Sequence, residues 1–562
     1  MKLLDSRRLT GPNHLASQAG AVIDVSFGDT EPDLLIGAWK THARRLLQEL
    51  DWEDAALHVR RSHNGASLAI TAPMDGLYTA TELNEAAWDA ARDWIEGSQR
   101  HLLLRAARAL REEYRNEQRP RMMRLLDAAS ERGIPVLADE ELLTLGLGVG
   151  SQSWDIYELP HPEDVDWASI GRIPVALITG TNGKTTTVRL LAAIAAADGK
   201  CAGVSSTDWL AVGDEILERD DFAGPGGARR VLRDQRCDIA FLETARGGLL
   251  RRGLAVDRAD VALITNVAPD HLGEFGVETI DDLAAVKWSV TQALDASGTL
   301  VLNAEDPRLM ARAGTVQAEL VLFSSDPRNA QLKQHVSGGG KGYTVERGQL
   351  RRLARDGARS LLAVRKIPIC FGGAARYNVA NVLAAVAVAE ALHLSLPAIK
   401  AALQNFQPND NPGRANLYGV KGGTVLVDFA HNPDGLRALL PVIEALPAQR
   451  RMLVIGQAGD RSDEDIADFA HAAAPLRFER IVVKQMAGLA RGRGESDVAA
   501  LLRSAFRADG YAARSIADAK TELDAARAAL RWIKPGDLVV FLSHEHRAAT
   551  QAFFAERSAV QE

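Results

Sequence analysis

Gly180-Thr181-Asn182-Gly183-Lys184-Thr185-Thr186 has the residue types and spacing of a loop that holds phosphate. It follows a short apolar run, Ile173-Pro174-Val175-Ala176-Leu177-Ile178-Thr179, and opens a helical pattern from Thr186 to Ala197. Glycines let successive backbone N–H groups turn toward phosphate oxygens, and the start of a helix adds positive potential there. The Lys184 ammonium would neutralise β- and γ-phosphates, and a hydroxyl from Thr185 or Thr186 would offer Mg2+ an oxygen. The strict Walker spacing is not met, because Ile178 stands where its first glycine would be. Further along, Glu243 ends a strand pattern, a position where ligands collect in open α/β sheets. Gly456-Gln457-Ala458-Gly459-Asp460-Arg461 also follows a strand and would bring Asp460 and Arg461 to the same cleft. Arg491-Gly492-Arg493-Gly494-Glu495 is a basic loop, and the forks of Arg491 and Arg493 suit carboxylates.

The elements that must position these residues fall into three regions. Residues 1–168 mix short β-like runs (Ala21 to Ser26, Ala66 to Thr71) with Arg- and Ala-rich helical stretches such as 84–117, and read as an α+β domain. Pro160 to Asp166 reads as a linker. Residues 169–413 carry continuous apolar strands alternating with helices, which predicts a parallel sheet covered on both faces. Within them, 315–370 reads as a small β-rich subdomain, with Ser337-Gly338-Gly339-Gly340-Lys341-Gly342 as a hairpin connection. Residues 414–562 repeat the alternation with four strands and predict a smaller Rossmann-like domain. The fold class expected is multidomain α/β: a phosphate-loop ATPase core, a C-terminal Rossmann-like domain and an α+β N-terminal domain.

The loop Gly180 to Thr186 resembles the nucleotide loop of the Mur ligases and folylpolyglutamate synthetases. Leu242 to Leu254, Thr265 to Gly273 and Asn411-Pro412-Gly413-Arg414 resemble segments of cyanophycin synthetases in particular. The ordered set covers roughly residues 173–562. The resemblance implies an ATP-dependent ligase in which ATP phosphorylates a carboxylate that an amine then attacks. It implies Glu243 as a Mg2+ ligand with Thr185, and His271 at a second metal. It implies Lys287 at the position of a carbamylated lysine, and Arg414 as an arginine that reaches the ATP phosphates. Asn303-Ala304-Glu305-Asp306 is similar to a turn at the nucleotide, and Arg376-Tyr377-Asn378 with Asn381 to a segment near the adenine, although Arg376 and Tyr377 depart from it. Asp428-Phe429-Ala430-His431-Asn432-Pro433 is similar to a loop that closes over nucleotide and amine, with Phe429 in place of Tyr. Arg246, Asp428, His431, Asn432, Asp460, Arg461, Arg491 and Arg493 are thus expected at the substrates.

Leu9-Thr10-Gly11-Pro12-Asn13-His14 resembles the start of cyanophycin synthetases, with Thr10 for Arg. In those enzymes an ATP-grasp domain precedes the Mur half; here the Mur core follows almost at once, so a single ligation is expected. Its partners are an amino acid, arginine among them, and a carboxylate acceptor that is a peptide or polymer. Two other readings stand beside it: a folylpolyglutamate- or peptidoglycan-type ligase on another acceptor, and a polymer-binding accessory of a full synthetase.

Composition agrees with a cytoplasmic protein of three or four domains. Of 562 residues, 46% are hydrophobic and 25% charged, and the net charge of -7 gives no footprint for nucleic acid. Cys201, Cys237 and Cys370 show no paired spacing, which fits a reducing compartment. No apolar run has the length of a signal or membrane segment, so no membrane partner is expected. A homo-oligomer is compatible with this composition.

Overall fold

In the computed structural model, which describes residues 1–97, 102–270, 272–494 and 496–559, the strand Val175–Thr179 runs through the middle of an eleven-stranded sheet, every residue of it buried. Its side chains serve both faces. Ala176 and Ile178 pack with the helices Lys184–Ala197 and Arg376–Ala391, whereas Val175 and Leu177 join Leu249, Leu250 and Leu283 on the other side. That two-sided burial is why the strand reads as a continuous apolar run rather than an alternating one.

Ile239–Glu243 and Val261–Ile264 pair with it in parallel, with Glu243 opposite Ile178 and Ile264 opposite Thr179. Thr299–Asn303, Glu319–Ser324 and Lys341–Glu346 continue in parallel on one side, and Ala202–Ser205 on the other. The carboxyl ends of these strands therefore form one edge, and the loops that leave it carry the residues singled out above.

The stretch 315–370 departs from its expected form. Lys341–Glu346 pairs in parallel with Glu319–Ser324, and Gln349–Ala354 and Gly357–Ala363 follow antiparallel, so these strands extend the central sheet. The glycine run is no hairpin connection: it ends the helix Ala330–Ser337, with Gly339 at φ +98°, and leads into a strand. Leu332, Leu322 and Tyr343 anchor this region in the central core, which alternating short strands could not reveal.

The C-terminal sheet has six strands rather than four. In order they are Asn416–Val420, Gly423–Asp428, Leu538–Leu542, Arg451–Ile455, Arg480–Lys484 and Ile516–Ala519, all parallel except the first. The two extra strands are edges, and their Gly419 and Asp518 weaken a strand pattern. At the other end of the chain, Lys2–Leu9, Gly20–Ser26, Gly65–Thr71 and Leu57–Arg61 form an antiparallel sheet under the helices Pro32–Glu49 and Leu77–Ile95. Trp39 and Trp88 are buried between them, and Trp39 Nε1 donates to Asn84 Oδ1 at 2.9 Å. No helix among the described residues is long and apolar enough to cross a membrane.

Candidate active site

The turn after Val175–Thr179 takes its shape from two glycines. Gly183 has φ +89°, and a Cβ there would lie 2.2 Å from Asn381 Oδ1; at Gly180 one would lie 1.9 Å from Thr265 Oγ1. Only glycine lets the backbone pass these walls. Asn182 fixes the turn's middle: its N–H donates to Asn266 Oδ1 at 3.0 Å, and its carbonyl accepts from Thr265 Oγ1 at 2.7 Å and Asn266 Nδ2 at 3.0 Å. The Thr181 hydroxyl bonds the Ala268 carbonyl at 3.1 Å. The turn thus hands its remaining N–H groups and the start of the helix Lys184–Ala197 to the sheet edge, an arrangement that receives anions.

Two lysines meet at this turn. Lys184 Nζ donates to the carbonyls of Gly180 and Thr181, both at 3.0 Å. Lys287, on the helix Ile280–Trp288, is buried and its Nζ donates to the same Gly180 carbonyl at 2.9 Å. Burial first, then the neighbouring Lys184 charge, draws Lys287 down to about 7, against the opposing pull of Asp270 and Glu243.

Glu243 is buried at its strand end and accepts from Thr207 Oγ1 at 2.6 Å and Thr207 N at 3.3 Å. Thr207 Oγ1 lies 3.4 Å from Thr185 Oγ1. One carboxylate and two hydroxyls form a sparse all-oxygen set, and among the described residues no group of three or more His, Cys, Asp or Glu could hold a metal. Such a set fits Mg2+, which keeps waters and takes phosphate oxygens for the rest of its shell. His271 lies outside the described residues.

The segment 411–414 and the C-terminal sheet close this edge. Asn411 Oδ1 accepts from Arg189 Nη1 at 2.7 Å, and its Nδ2 donates to Thr186 Oγ1 at 3.1 Å. Arg414 Nη2 donates to Thr185 Oγ1 at 3.2 Å. Asp428 ends its strand, its carboxylate accepting from the N–H groups of Ala415 and Ala430, each at 2.7 Å. Burial raises Asp428 to about 6, against those N–H groups and Arg414. The His431 imidazole is drawn down to about 4, chiefly by burial, so it is neutral near pH 7. Asn432 caps the helix Pro433–Ala445 through Gly435 N at 2.7 Å, and its Nδ2 reaches Asn182 Oδ1 at 3.4 Å.

Between the two sheets these residues leave a cavity of about 220 Å3. Asn182, Gly183, Thr186 and Asn303 line one wall, Arg414, Asp428, Phe429 and His431 the other, and Tyr377 and Asn381 its end. Asn381, rather than Asn378, faces it. Asn378 Nδ2 donates to the Ile369 carbonyl at 2.8 Å and its Oδ1 accepts from Asn381 at 3.2 Å, so it braces its neighbour from behind. Asn303 fixes the strand edge through the Thr265 carbonyl at 3.0 Å.

Of the residues expected at the substrates, Arg461 spans the cleft to Asp270 at 3.0 Å, and Arg246 pairs with Glu274. Arg491 pairs with Asp460, and Arg493 holds the carbonyls of Gly459 at 2.9 Å and Arg461 at 2.7 Å and the Asp463 carboxylate at 2.6 Å. These two forks therefore brace the loop 459–463 from within the C-terminal sheet. Four residues at the site escaped the sequence: Thr207, Asp208, Arg189 and Arg547. The available signal was Thr207-Asp208 just past the end of the strand Ala202–Ser205, the position from which Glu243 was read.

Comparison with known proteins agrees with this architecture. The description "Mur ligase middle domain" matches residues 178–389, and "Mur ligase, glutamate ligase domain" matches residues 413–544. The cyanophycin synthetase of Synechocystis sp. is 39% identical over 333 residues, 59% of this chain and 38% of that protein. That of Geminocystis herdmanii is 37% identical over 371 residues, 66% and 42% of the two. The chain thus spans about two-fifths of the length of these relatives. The UDP-N-acetylmuramoylalanine--D-glutamate ligase of Chlorobium luteolum is 30% identical over 394 residues, 68% of this chain and 74% of that one. E. coli FolC in complex with ADP, without folate substrate, shares the fold with a TM-score of 0.51 at 20% identity, over 68% of this chain and 90% of that one. Consecutive family matches across both sheets, and a Mur ligase matched over most of its own length, show that the chain belongs to the Mur ligase family.

Proposed function

We propose that the chain is an ATP-dependent acid–amino-acid ligase that forms ADP: a carboxylate oxygen takes the γ-phosphoryl group of ATP, and an amine then displaces phosphate from the acyl carbon. The observation that carries this reading is the meeting of Lys184, Glu243, Thr185 and Arg414 at one turn, opposite a loop of the C-terminal sheet that walls the cavity. The residues 180–186 bind the phosphates, Asn303 and Asn381 face the nucleoside, and Arg414 reaches the phosphates from the hinge. Glu243 and Thr185 would hold Mg2+ and His271 would help hold a second metal, and such ions when bound offset the charge that gathers at the γ-phosphate. Asp428, His431, Asn432 and Arg461 close over the acceptor and the amine and keep water from the acyl phosphate. Arg246, Asp460, Arg491 and Arg493 are the further candidates for contact with the substrates. The units are 1–168, 169–413 and 414–562, in a cytoplasmic setting.

For the finer reaction we favour arginine joined to an aspartate side chain. Pure protein given ATP, Mg2+ and matched acceptor and amine libraries should release ADP only when both substrates are present. Absence of coupled ADP for every pair, aspartyl peptides with arginine included, overturns the assignment.

Lys287 carries a separate prediction. Its lowered value leaves much of the amine neutral at pH 7 and more above it, and a neutral amine adds CO2 whereas the ammonium form does not. Carbon-13 bicarbonate should therefore give a carbamate signal that strengthens above pH 7 and is missing from Lys287→Ala. That variant should turn over about a hundredfold more slowly, with partial recovery in formate. A variant with the same carbamate spectrum as the parent refutes the modification.

A further inference from the structure

Asp208 gathers guanidinium groups from three parts of the chain. Its carboxylate pairs directly with Arg189, on the helix that follows the phosphate loop, and with Arg547, which opens the last helix of the C-terminal sheet; Arg414 Nη2 stands 3.9 Å away. Three guanidiniums around one carboxylate leave a formal excess of two positive charges, beside a side chain that is only 10% exposed. Burial alone would raise Asp208, but Arg414, Arg189 and Arg547 outweigh it and hold the group below the ordinary carboxylate value.

Geometry says what the excess is for. The cluster borders the phosphate loop, since Arg414 bonds the Thr185 hydroxyl and Asp208 follows Thr207, the residue that holds Glu243. Arg414 and Arg547 also lie over the same Phe429 ring, at 5.1 and 4.7 Å from its centre. Phe429 is therefore a shelf that sets two guanidiniums from the closing half of the protein side by side. Arg189 is held apart from this shelf: it is buried, bonded to Asn411 and stacked on Trp209 at 4.0 Å.

We propose that Arg547 binds the phosphoryl group in transfer, next to Arg414, and that Asp208 is the positioning residue that holds both guanidiniums at the loop when the C-terminal sheet docks. This rests on the ligase reading above. It deepens that reading by naming a guanidinium that reaches the site only with the closing half, so transfer is tied to closure.

The test uses the full chain with Mg2+ and two probes, ADP and ADP with aluminium fluoride, a mimic of the phosphoryl group in flight, followed by calorimetry. The parent protein should bind the aluminium fluoride complex at least about tenfold more tightly than ADP. Arg547→Ala should lose most of that gain and keep ADP affinity within about twofold, and guanidinium chloride should restore part of it. Arg547→Lys, which keeps charge without the fork, should fall between. Asp208→Asn should lose the gain without guanidinium rescue, because the arginines are present but misplaced. Equal weakening of both probes by Arg547→Ala, or an intact gain in it, overturns the proposal. A parent that binds ADP but shows no gain also overturns it and leaves the ligase reading standing; a parent that binds neither probe removes the ligase reading itself.

Discussion

Lys184→Met should lower substrate-dependent ADP release by about a thousandfold or more while leaving the melting temperature within a few degrees. Both halves of that expectation come from where the side chain sits. Its ammonium donates to the carbonyls of Gly180 and Thr181, at the mouth of the turn rather than in the core, and the residue is only partly buried. Methionine keeps the length and packing of the stem and removes the charge. Gly183 at φ +89° and the Asn182–Asn266 bonds fix the turn independently of this lysine, so the loop keeps its shape. What disappears is the cation proposed to meet phosphate oxygens, and Lys287 cannot replace it, being buried and bonded to the Gly180 carbonyl. Coupled ADP assay and calorimetric titration with ATP and Mg2+ measure the two effects. A variant that turns over within tenfold of the parent would show that Lys184 does not meet the transferred group. An unchanged biological activity would favour the non-catalytic accessory reading.

The form of the turn Gly180 to Thr186 was legible because it is local. Strand, turn, lysine and helix are contiguous, and glycine at two positions is demanded by walls that any side chain would strike. The strand-end place of Glu243 was legible from the apolar run before it, whereas its expected metal role came from the resemblance, since a carboxylate there is as often a solvated rim residue. Asp208 was not legible, since its meaning depends on Arg189, on the preceding helix, and on Arg414 and Arg547, which reach it only by docking of the C-terminal sheet. Asn378 and Asn381 show the limit of motif reading within one turn of helix. Both fit the pattern, yet helical geometry turns one to the cavity and the other toward Ile369. The β-rich stretch failed on the same ground: alternation marks strands, but only the parallel pairing of Lys341–Glu346 with Glu319–Ser324 says which sheet they join.

Glu522→Gln should destabilise the full chain by about 3–5 kcal/mol, because it leaves the Lys484 ammonium uncompensated inside the C-terminal sheet. Both side chains of this ion pair have 0% exposure. Glu522 also accepts from the hydroxyls of Ser543 and Thr550 and from the N–H groups of His544 and Glu545, so one carboxylate gathers the loop after Leu538–Leu542. Burial would raise Glu522, but Lys484 and the Ser543 hydroxyl overcome it and hold the group at about 2. Its folded value thus lies below its unfolded one, so its stabilisation is complete above roughly pH 4.5 and fades only as pH falls toward 2. Urea midpoints of parent and variant should therefore differ most above pH 5 and converge below pH 3. Lys484→Met added to Glu522→Gln removes the stranded charge while the amide oxygen still accepts, and should recover more than half of the loss. The same loop reaches the site: His544 Nε2 donates to the Ala430 carbonyl at 2.9 Å, and its ring lies 5.8 Å from that of Phe429. The single variant should consequently lose turnover at temperatures where it is still folded, as the Phe429 shelf loosens. A loss below 1 kcal/mol at pH 7, or a double variant weaker than the single one, would mean that the ion pair is not what holds this loop.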